Sequence, residues 1–272
     1  MATQAEKGDV FRALHARDHA FVIPNPWDLG SVRMLDGLGF EALATTSAGY
    51  AFTLGKRDGA VGRDRMMEHV ASLAAATELP LSVDLENGFG DAPAFVSETI
   101  RMVGDAGAVG GSIEDATGKE NDPIYEIGFA TERIRAAAEA AHAAPFAFTL
   151  TARCENYLYG KPDLKDTIRR LQAYQGAGAD VLYAPGLTKH DEIATLVKSL
   201  DRPVNVLVGF KSIRLSVAEA SALGVRRLST GSALGRAAYG AFLAAAEEIR
   251  DHGTFGFGDD VPGFSDLSKR FF

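Results

Sequence analysis

Cysteine is almost missing from this sequence: Cys154 is the single one. An internal disulfide framework is thereby excluded. The opening Met-Ala-Thr-Gln-Ala-Glu-Lys-Gly also has no apolar run of the secretory kind, so a reducing, cytoplasmic setting is expected. Positive charge is in deficit, with 28 Lys and Arg against 36 Asp and Glu and a formal net charge of −8. No basic block stands out, which argues against nucleic acid and against an anionic membrane surface as partners. No apolar stretch approaches the roughly 20 residues of a membrane span. Two motifs are missing as well. Where a Gly-x-Gly-x-x-Gly turn would follow the first apolar run, the chain reads Ile23-Pro24-Asn25-Pro26-Trp27-Asp28, which disfavours a dinucleotide fold. The six histidines show no His-Glu-x-x-His spacing, and His15 and His19, one helical turn apart, read as residues of a surface helix.

What is present is material for one sizeable core: 272 residues, 46% of them hydrophobic. Short apolar runs alternate with helical periodicity from Ala20 to Arg250, the pattern of repeated βα units around a parallel sheet. Strands are expected at Phe21–Ile23, Ala42–Thr46, Leu81–Asp84, Val109–Glu114, Phe146–Ala152, Val181–Ala184, Val204–Val208 and Arg226–Ser229. Pro80, Pro145 and Pro203 precede the third, fifth and seventh runs, while Gly39, Gly107, Gly178 and Gly224 precede the even ones. A glycine closing a helix supplies the left-handed residue at little cost. Eight such units in roughly 230 residues match an eight-stranded parallel β/α barrel of the TIM type; an open doubly wound sheet is the rival. Residues 1–272 are read as a single domain, with a Gly- and Phe-rich tail (253–272) that packs on the barrel or on a neighbouring subunit.

Barrel enzymes carry their reactive groups at the C-terminal ends of the strands. Alternation along the third strand sends Leu81, Val83 and Leu85 outward and Asp84 and Glu86 toward the mouth; the fourth delivers Glu114 and the fifth Arg153. Crowded carboxylates raise one another's pKa unless a counter-charge joins them. Oxygen-only ligation then favours Mg²⁺, with Mn²⁺ acceptable. The bland alternative is that the acids cap helices, or that Arg153 neutralises them in a buried ion network. Two βα loops are long, Tyr50–Arg63 and Ala116–Gly128, as lids are. The first holds Asp58, an outer carboxylate or a turn residue; the second holds Lys119 and Asn121, which would fold over an anionic substrate or simply meet solvent. Cys154 points away from the mouth and reads as an inert packed thiol. Gly231 and Gly235 would share a helical face in close packing, and Thr230-Gly231-Ser232 leaves a phosphate site open.

These strand ends resemble the isocitrate lyase and phosphoenolpyruvate mutase superfamily. The matching pieces occur in order: Thr46-Ser47-Ala48-Gly49, Leu54-Gly55-Lys56-Arg57-Asp58, Val83-Asp84-Leu85-Glu86-Asn87-Gly88-Phe89-Gly90, Ile113-Glu114-Asp115 and Ala152-Arg153-Cys154-Glu155. The resemblance implies that Asp84 holds Mg²⁺ most directly, with Asp58, Glu86 and Glu114 acting largely through water. It implies that Ser47, Ala48 and Gly49 cradle a substrate carboxylate or oxyanion, that Arg153 stabilises an enolate, and that the last helix is exchanged between subunits of a homo-oligomer, a dimer or tetramer. The departures are informative. The lid reads Thr117-Gly118-Lys119-Glu120-Asn121-Asp122, without the cysteine and histidine of isocitrate and methylisocitrate lyases. Its Lys119-x-Asn121 spacing is closer to phosphoenolpyruvate mutase and phosphonopyruvate hydrolase, and Ala184-Pro185-Gly186 lacks the glutamate that the lyases carry.

The expected function is a Mg²⁺-dependent lyase that cleaves a C–C bond of a small, oxaloacetate-like 2-oxo or 2-hydroxy acid through a pyruvate-type enolate. The alternatives are C–P bond chemistry using Lys119 and Asn121, and a silent binder of small carboxylates. A Schiff-base route would have to use Lys211, the lysine nearest a strand end.

Overall fold

The computed structural model describes residues 2–211 and 213–271. Its centre is eight strands: β1 (Phe21–Ile23), β2 (Leu43–Ala44), β3 (Leu81–Asp84), β4 (Gly110–Glu114), β5 (Thr149–Arg153), β6 (Val181–Tyr183), β7 (Val204–Leu207) and β8 (Arg227–Ser229). Every ladder is parallel, and the order β1-β8-β7-β6-β5-β4-β3-β2 runs round the sheet. Between the two ends, the Ala44 amide donates to Pro24 O (3.1 Å) and Asn25 Nδ2 donates to Thr45 O (2.8 Å), so the sheet is a nearly closed barrel and not an open one.

The helices are α1 (Gln4–His15), α2 (Leu29–Gly37), α3 (Ser47–Thr53), α4 (Arg63–Ala74), α5 (Pro93–Asp105), α6 (Ile127–His142), α7 (Leu164–Gly176), α8 (His190–Lys198), α9 (Val217–Ala222), α10 (Ala233–His252) and α11 (Phe264–Ser268). Their starts follow capping chemistry. Asp28 accepts from the Ser31 amide (2.7 Å), Asp163 from the Asp166 amide (3.0 Å), and Pro93 stands in the first turn of α5. Spacing of three and four residues then aims one stripe of each helix at the barrel, as Val96, Thr99, Ile100 and Val103 do on α5. Packed against the outward side chains of the strands, these stripes form the main core, in which Val83, Ile113, Leu150 and Leu182 are fully buried.

Helix α1 covers the N-terminal end of the barrel, where Phe11 and Leu14 pack with Phe21 and Val109. The approach is close: a Cβ on Gly8 would stand 2.3 Å from the Ala147 carbonyl oxygen, so only glycine fits there. That contact explains a difference in β5, which begins at Thr149 and not at the expected Phe146, because α1 crosses over residues 146–148. It also corrects His15, which is buried at the barrel base, 6% exposed, while His19 is exposed. Strand β2 is shorter than expected because Thr46 leaves it to cap α3, accepting from the Gly49 amide (3.2 Å). Part of the expected Tyr50–Arg63 loop is therefore helix. Gly231 lies outside α10 with φ 51°, so it and Gly235 do not share a helical face.

The last barrel helix behaves unlike the others. In α10 only Gly235 is buried, and Phe242 and Leu243 are 67% and 55% exposed. The tail beyond it turns back toward α2, where Arg33 Nη1 donates to Phe271 O at 3.4 Å, but Phe264 stays 90% exposed. Among the described residues, no helix is long and apolar enough to cross a membrane.

Candidate active site

At the C-terminal end of the strands opens a cavity of about 1500 Å³. Strand register builds its reactive wall: Glu114 on β4 stands opposite Arg153 on β5, and Arg153 stands opposite Tyr183 on β6. Arg153 is the hub. Its Nη1 meets Asp84 Oδ1 at 3.0 Å, Nη2 meets Glu114 Oε2 at 3.1 Å, and Nε meets Glu155 Oε1 at 2.9 Å. Its guanidinium also lies 5.3 Å from the centre of the Tyr183 ring. Burial works against the charge, but Glu155, Glu114 and Asp84 hold the Arg153 pKa well above its ordinary value.

One guanidinium does not balance the acids around it. Burial pushes Glu114 well above the usual carboxylate range and raises Glu155, Arg153 opposing both shifts. Glu86 is lifted to about 7 by burial, then by Asp84 and Asp58. Its Oε1 is buried with no hydrogen-bond partner, and its backbone is left-handed, φ 52°, in the tight turn that ends β3. Asp58 stands at the rim, exposed, with its carboxyl raised by partial burial and by Asp84. An orphaned carboxylate oxygen amid raised carboxyl pKa values is the setting that a hard divalent cation relieves. Among the described residues, no three acids, histidines or cysteines converge tightly enough to ligate one ion directly. The donor set therefore fits a cation held by few side chains with water completing its shell.

The structure brings Asp84, Glu86, Glu114, Arg153, Asp58, Ser47 and Ala48 to this one cavity. It does not bring all the expected residues. Ser47 donates its amide (3.2 Å) and hydroxyl (3.0 Å) to Asp84 Oδ2. The Gly49 amide is taken by Thr46, and its Cα packs against Trp27, off the cavity. Lys119 Nζ pairs with Asp91 at 3.2 Å, both well exposed, and Asn121 is exposed beyond it. The phosphate option at β8 is pre-empted, since the Thr230 and Gly231 amides both donate to Asn25 Oδ1 at 2.8 Å. Cys154 is buried, absent from the cavity lining, and burial lifts its thiol pKa well up. Lys211 is exposed and off the lining.

Glu155 and Tyr183 were not singled out by sequence reasoning. Glu155 lies two residues beyond Arg153, on the same side by alternation, which was the signal available. Its amide donates to Asp115 Oδ1 (2.8 Å), and Asp115 is in turn held by Tyr174 Oη (2.6 Å) and Arg170 (3.2 Å), so a buried network behind β4 and β5 sets its position. Tyr183 had no such signal, because an aromatic inside an apolar run reads as core. The far side of the cavity is different in kind, lined by Leu187, Leu207, Phe210 and Ile213 from beyond β6 and along and beyond β7.

Comparison with known proteins accords with this geometry. A solved structure from Burkholderia cenocepacia J2315, described as a candidate lyase or mutase, is 58% identical and superposes with a TM-score of 0.96 over 98% of this chain and 96% of that one. An oxaloacetate decarboxylase of Chromohalobacter salexigens is 29% identical over 89% of this chain and 84% of its own. The structure of an oxaloacetate acetylhydrolase with its product oxalate is 27% identical, with a TM-score of 0.86, covering 99% of this chain and 94% of that one. The family model for phosphoenolpyruvate phosphomutase matches residues 11–250, from within the base helix to the end of the last barrel helix. The chain therefore belongs to that family and, with it, to the isocitrate lyase and phosphoenolpyruvate mutase superfamily.

Proposed function

We propose that this protein is a Mg²⁺-dependent lyase that cleaves a C–C bond of a small, oxaloacetate-like 2-oxo or 2-hydroxy acid by way of a pyruvate-type enolate. The observation that carries the proposal is Arg153, ion-paired to Asp84, Glu114 and Glu155 on the wall of a cavity that also holds the unsatisfied Glu86. Asp84 would hold the cation most directly, with Glu86, Glu114 and Asp58 acting through water. Bound there, Mg²⁺ or Mn²⁺ supplies Lewis-acid polarisation of the substrate carboxylate and the oxygen next to it. Arg153 supplies the rest of the electrostatics. Three of its five N–H groups are committed to carboxylates, which fix the plane of the guanidinium and leave two donors for the negative charge that appears as the bond breaks. Ser47 braces Asp84 from the β2 side. The apolar side, Leu187, Leu207, Phe210 and Ile213, offers a surface for the uncharged part of the substrate. Loss of a carboxylate as CO₂ needs no protein nucleophile, so a lid without cysteine is no obstacle.

Relatives that act on oxaloacetate support this reading. The family model's own description favours a second one, C–P bond chemistry, in which Lys119 and Asn121 would meet a phosphoryl group. Lys119 would have to leave Asp91 to do so. The exposed apolar side chains of α10 support a homo-oligomer, with that helix exchanged onto a neighbouring subunit. The deciding experiment measures pyruvate and phosphate release from a panel of oxo acids and phosphonopyruvate, with and without EDTA. Chelator-sensitive pyruvate release without phosphate, abolished in Asp84→Ala, is expected. Chelator-insensitive turnover, or full activity in Asp84→Ala, would sink the reading; phosphate from phosphonopyruvate would transfer it to C–P chemistry.

A further inference from the structure

The two halves of the cavity offer a bound acid different things. The half built from β2 to β5 holds Ser47 and the charged groups of the site. Opposite them, from the loop after β5 round to the loop after β7, the chain presents Leu158, Leu187, Leu207, Phe210 and Ile213. Leu158 is 52% exposed at the rim. Close packing holds these side chains in place. Gly186 turns the chain after β6 with φ 92°, and a Cβ there would stand 3.2 Å from Leu158 Cδ2, so this turn lies directly against Leu158. Beyond β8, a Cβ on Gly231 would stand 3.0 Å from Leu207 Cδ1 and 4.0 Å from Phe210 Cζ. Glycine there leaves Leu207 its room. The Arg236 guanidinium lies 5.4 Å from the centre of the Phe210 ring and fixes it further.

Charge is distributed as unevenly as apolar surface. Among the described residues lining the half from β6 to β8, the one basic group is Arg227, which is 5% exposed at the floor and donates to Asn205 Oδ1 (3.0 Å) and Thr151 Oγ1 (3.0 Å). Lys211 and Arg236 are off the lining. A second carboxylate seated against the apolar side would lose water without gaining a cation, whereas a hydrocarbon group gains by leaving water. Width matters as well. Neighbouring parallel strands lie about 4.8 Å apart, so the loops that follow β5, β6 and β7 spread this surface over roughly 10 Å. A methyl group covers little of it.

We propose that the substrate carries an uncharged aliphatic or aryl substituent of three or more carbons on C3, the carbon next to its 2-oxo or 2-hydroxy carbon, and that Leu158, Leu187, Leu207, Phe210 and Ile213 select it. The inference rests on the reading of the cavity as an oxo-acid site, and the bond that breaks is the one named there. The acid end is held on the Arg153 side, and the substituent extends across the mouth to the apolar side. Burial of this kind discriminates in kcat/KM by roughly threefold for each methylene removed from water.

The test is a series of oxaloacetates bearing hydrogen, methyl, propyl, benzyl or 2-carboxyethyl at C3, with formation of the 2-oxo acid product read above the uncatalysed background in Mg²⁺. From hydrogen to propyl, kcat/KM is expected to rise by roughly tenfold or more, and benzyl should share the gain. The 2-carboxyethyl acid, as long as propyl but charged at its end, should fall at least about tenfold below it. Leu207→Ala and Phe210→Ala should each cut the ratio of propyl to unsubstituted acid by roughly threefold or more, and Phe210→Arg should move the preference toward 2-carboxyethyl. Each ratio is taken within one protein, so it does not depend on how much of a variant is folded. Propyl and benzyl acids no better than oxaloacetate, a preference for 2-carboxyethyl in the wild type, or ratios unchanged in all three variants overturns the proposal. If no member of the series turns over, the oxo-acid reading has failed and this inference falls with it. Turnover of oxaloacetate with no gain from propyl or benzyl overturns the inference alone.

Discussion

The mouth and the floor of the barrel each hold a buried arginine, and the two are solvated in opposite ways. Arg153 is surrounded by carboxylates that outnumber it, and Glu86 beside them has an oxygen with no partner. Arg227 is surrounded by an amide, a hydroxyl and a neutral imidazole, with its pKa lowered to about 10 by burial. The mouth is electrostatically unfinished and calls for a cation from outside. The floor is complete without one. A functional site is thus marked less by the presence of buried charge than by charge that the protein itself leaves uncompensated.

Experiments that break this contrast begin at the mouth. Removing the divalent ion with EDTA should take turnover to background, restored by Mg²⁺ or Mn²⁺ and not by Ca²⁺, whose larger shell suits the site poorly. Arg153→Met should cost roughly 10³-fold or more in kcat/KM, since it removes transition-state charge stabilisation and leaves three acids unpaired. The floor answers to pH through stability. Burial, and then the charge of Arg227, depress the His15 pKa to about 3 from the ordinary 6.5. The unfolded chain therefore binds the proton more readily, and this contribution, whole above pH 6.5, is lost as pH falls toward 3. At pH 5 the loss is about 2 kcal/mol. The raised carboxyl groups of the mouth push the other way, so the effect is isolated as the difference in urea midpoint between wild type and His15→Leu at pH 7 and pH 5. The smallest change is expected at the lid: Lys119→Ala should alter kcat/KM on an oxo acid by less than about threefold, as steady-state kinetics would show, because its partner at rest is an exposed aspartate.

The sequence made the barrel legible where each level of pattern agreed. The bounds of β1 and β3 coincide with expectation, and period-two alternation aimed Asp84, Glu114 and Arg153 correctly at the cavity. Glu86 reaches the cavity too, but through a left-handed turn that no alternation rule describes. Legibility failed where a distant segment intervened. The start of β5 and the burial of His15 are both decided by α1, whose path across the base depends on the fit between Gly8 and Ala147. The direction of Lys119 toward Asp91, the consumption of the β8 amides by Asn25, and the contacts of Arg227 with Asn205 and Thr151 likewise depend on partners far along the sequence.

The covering of the base by α1 has a kinetic consequence. A barrel sealed at one end is a blind well, so the substrate enters and both fragments of a cleavage leave through the same opening at the mouth. The fragment lying nearer the rim must depart before the one bound beneath it. On the proposed cleavage, the fragment held by Arg153 is expected to be the last to go, and product inhibition should then be of the ordered kind.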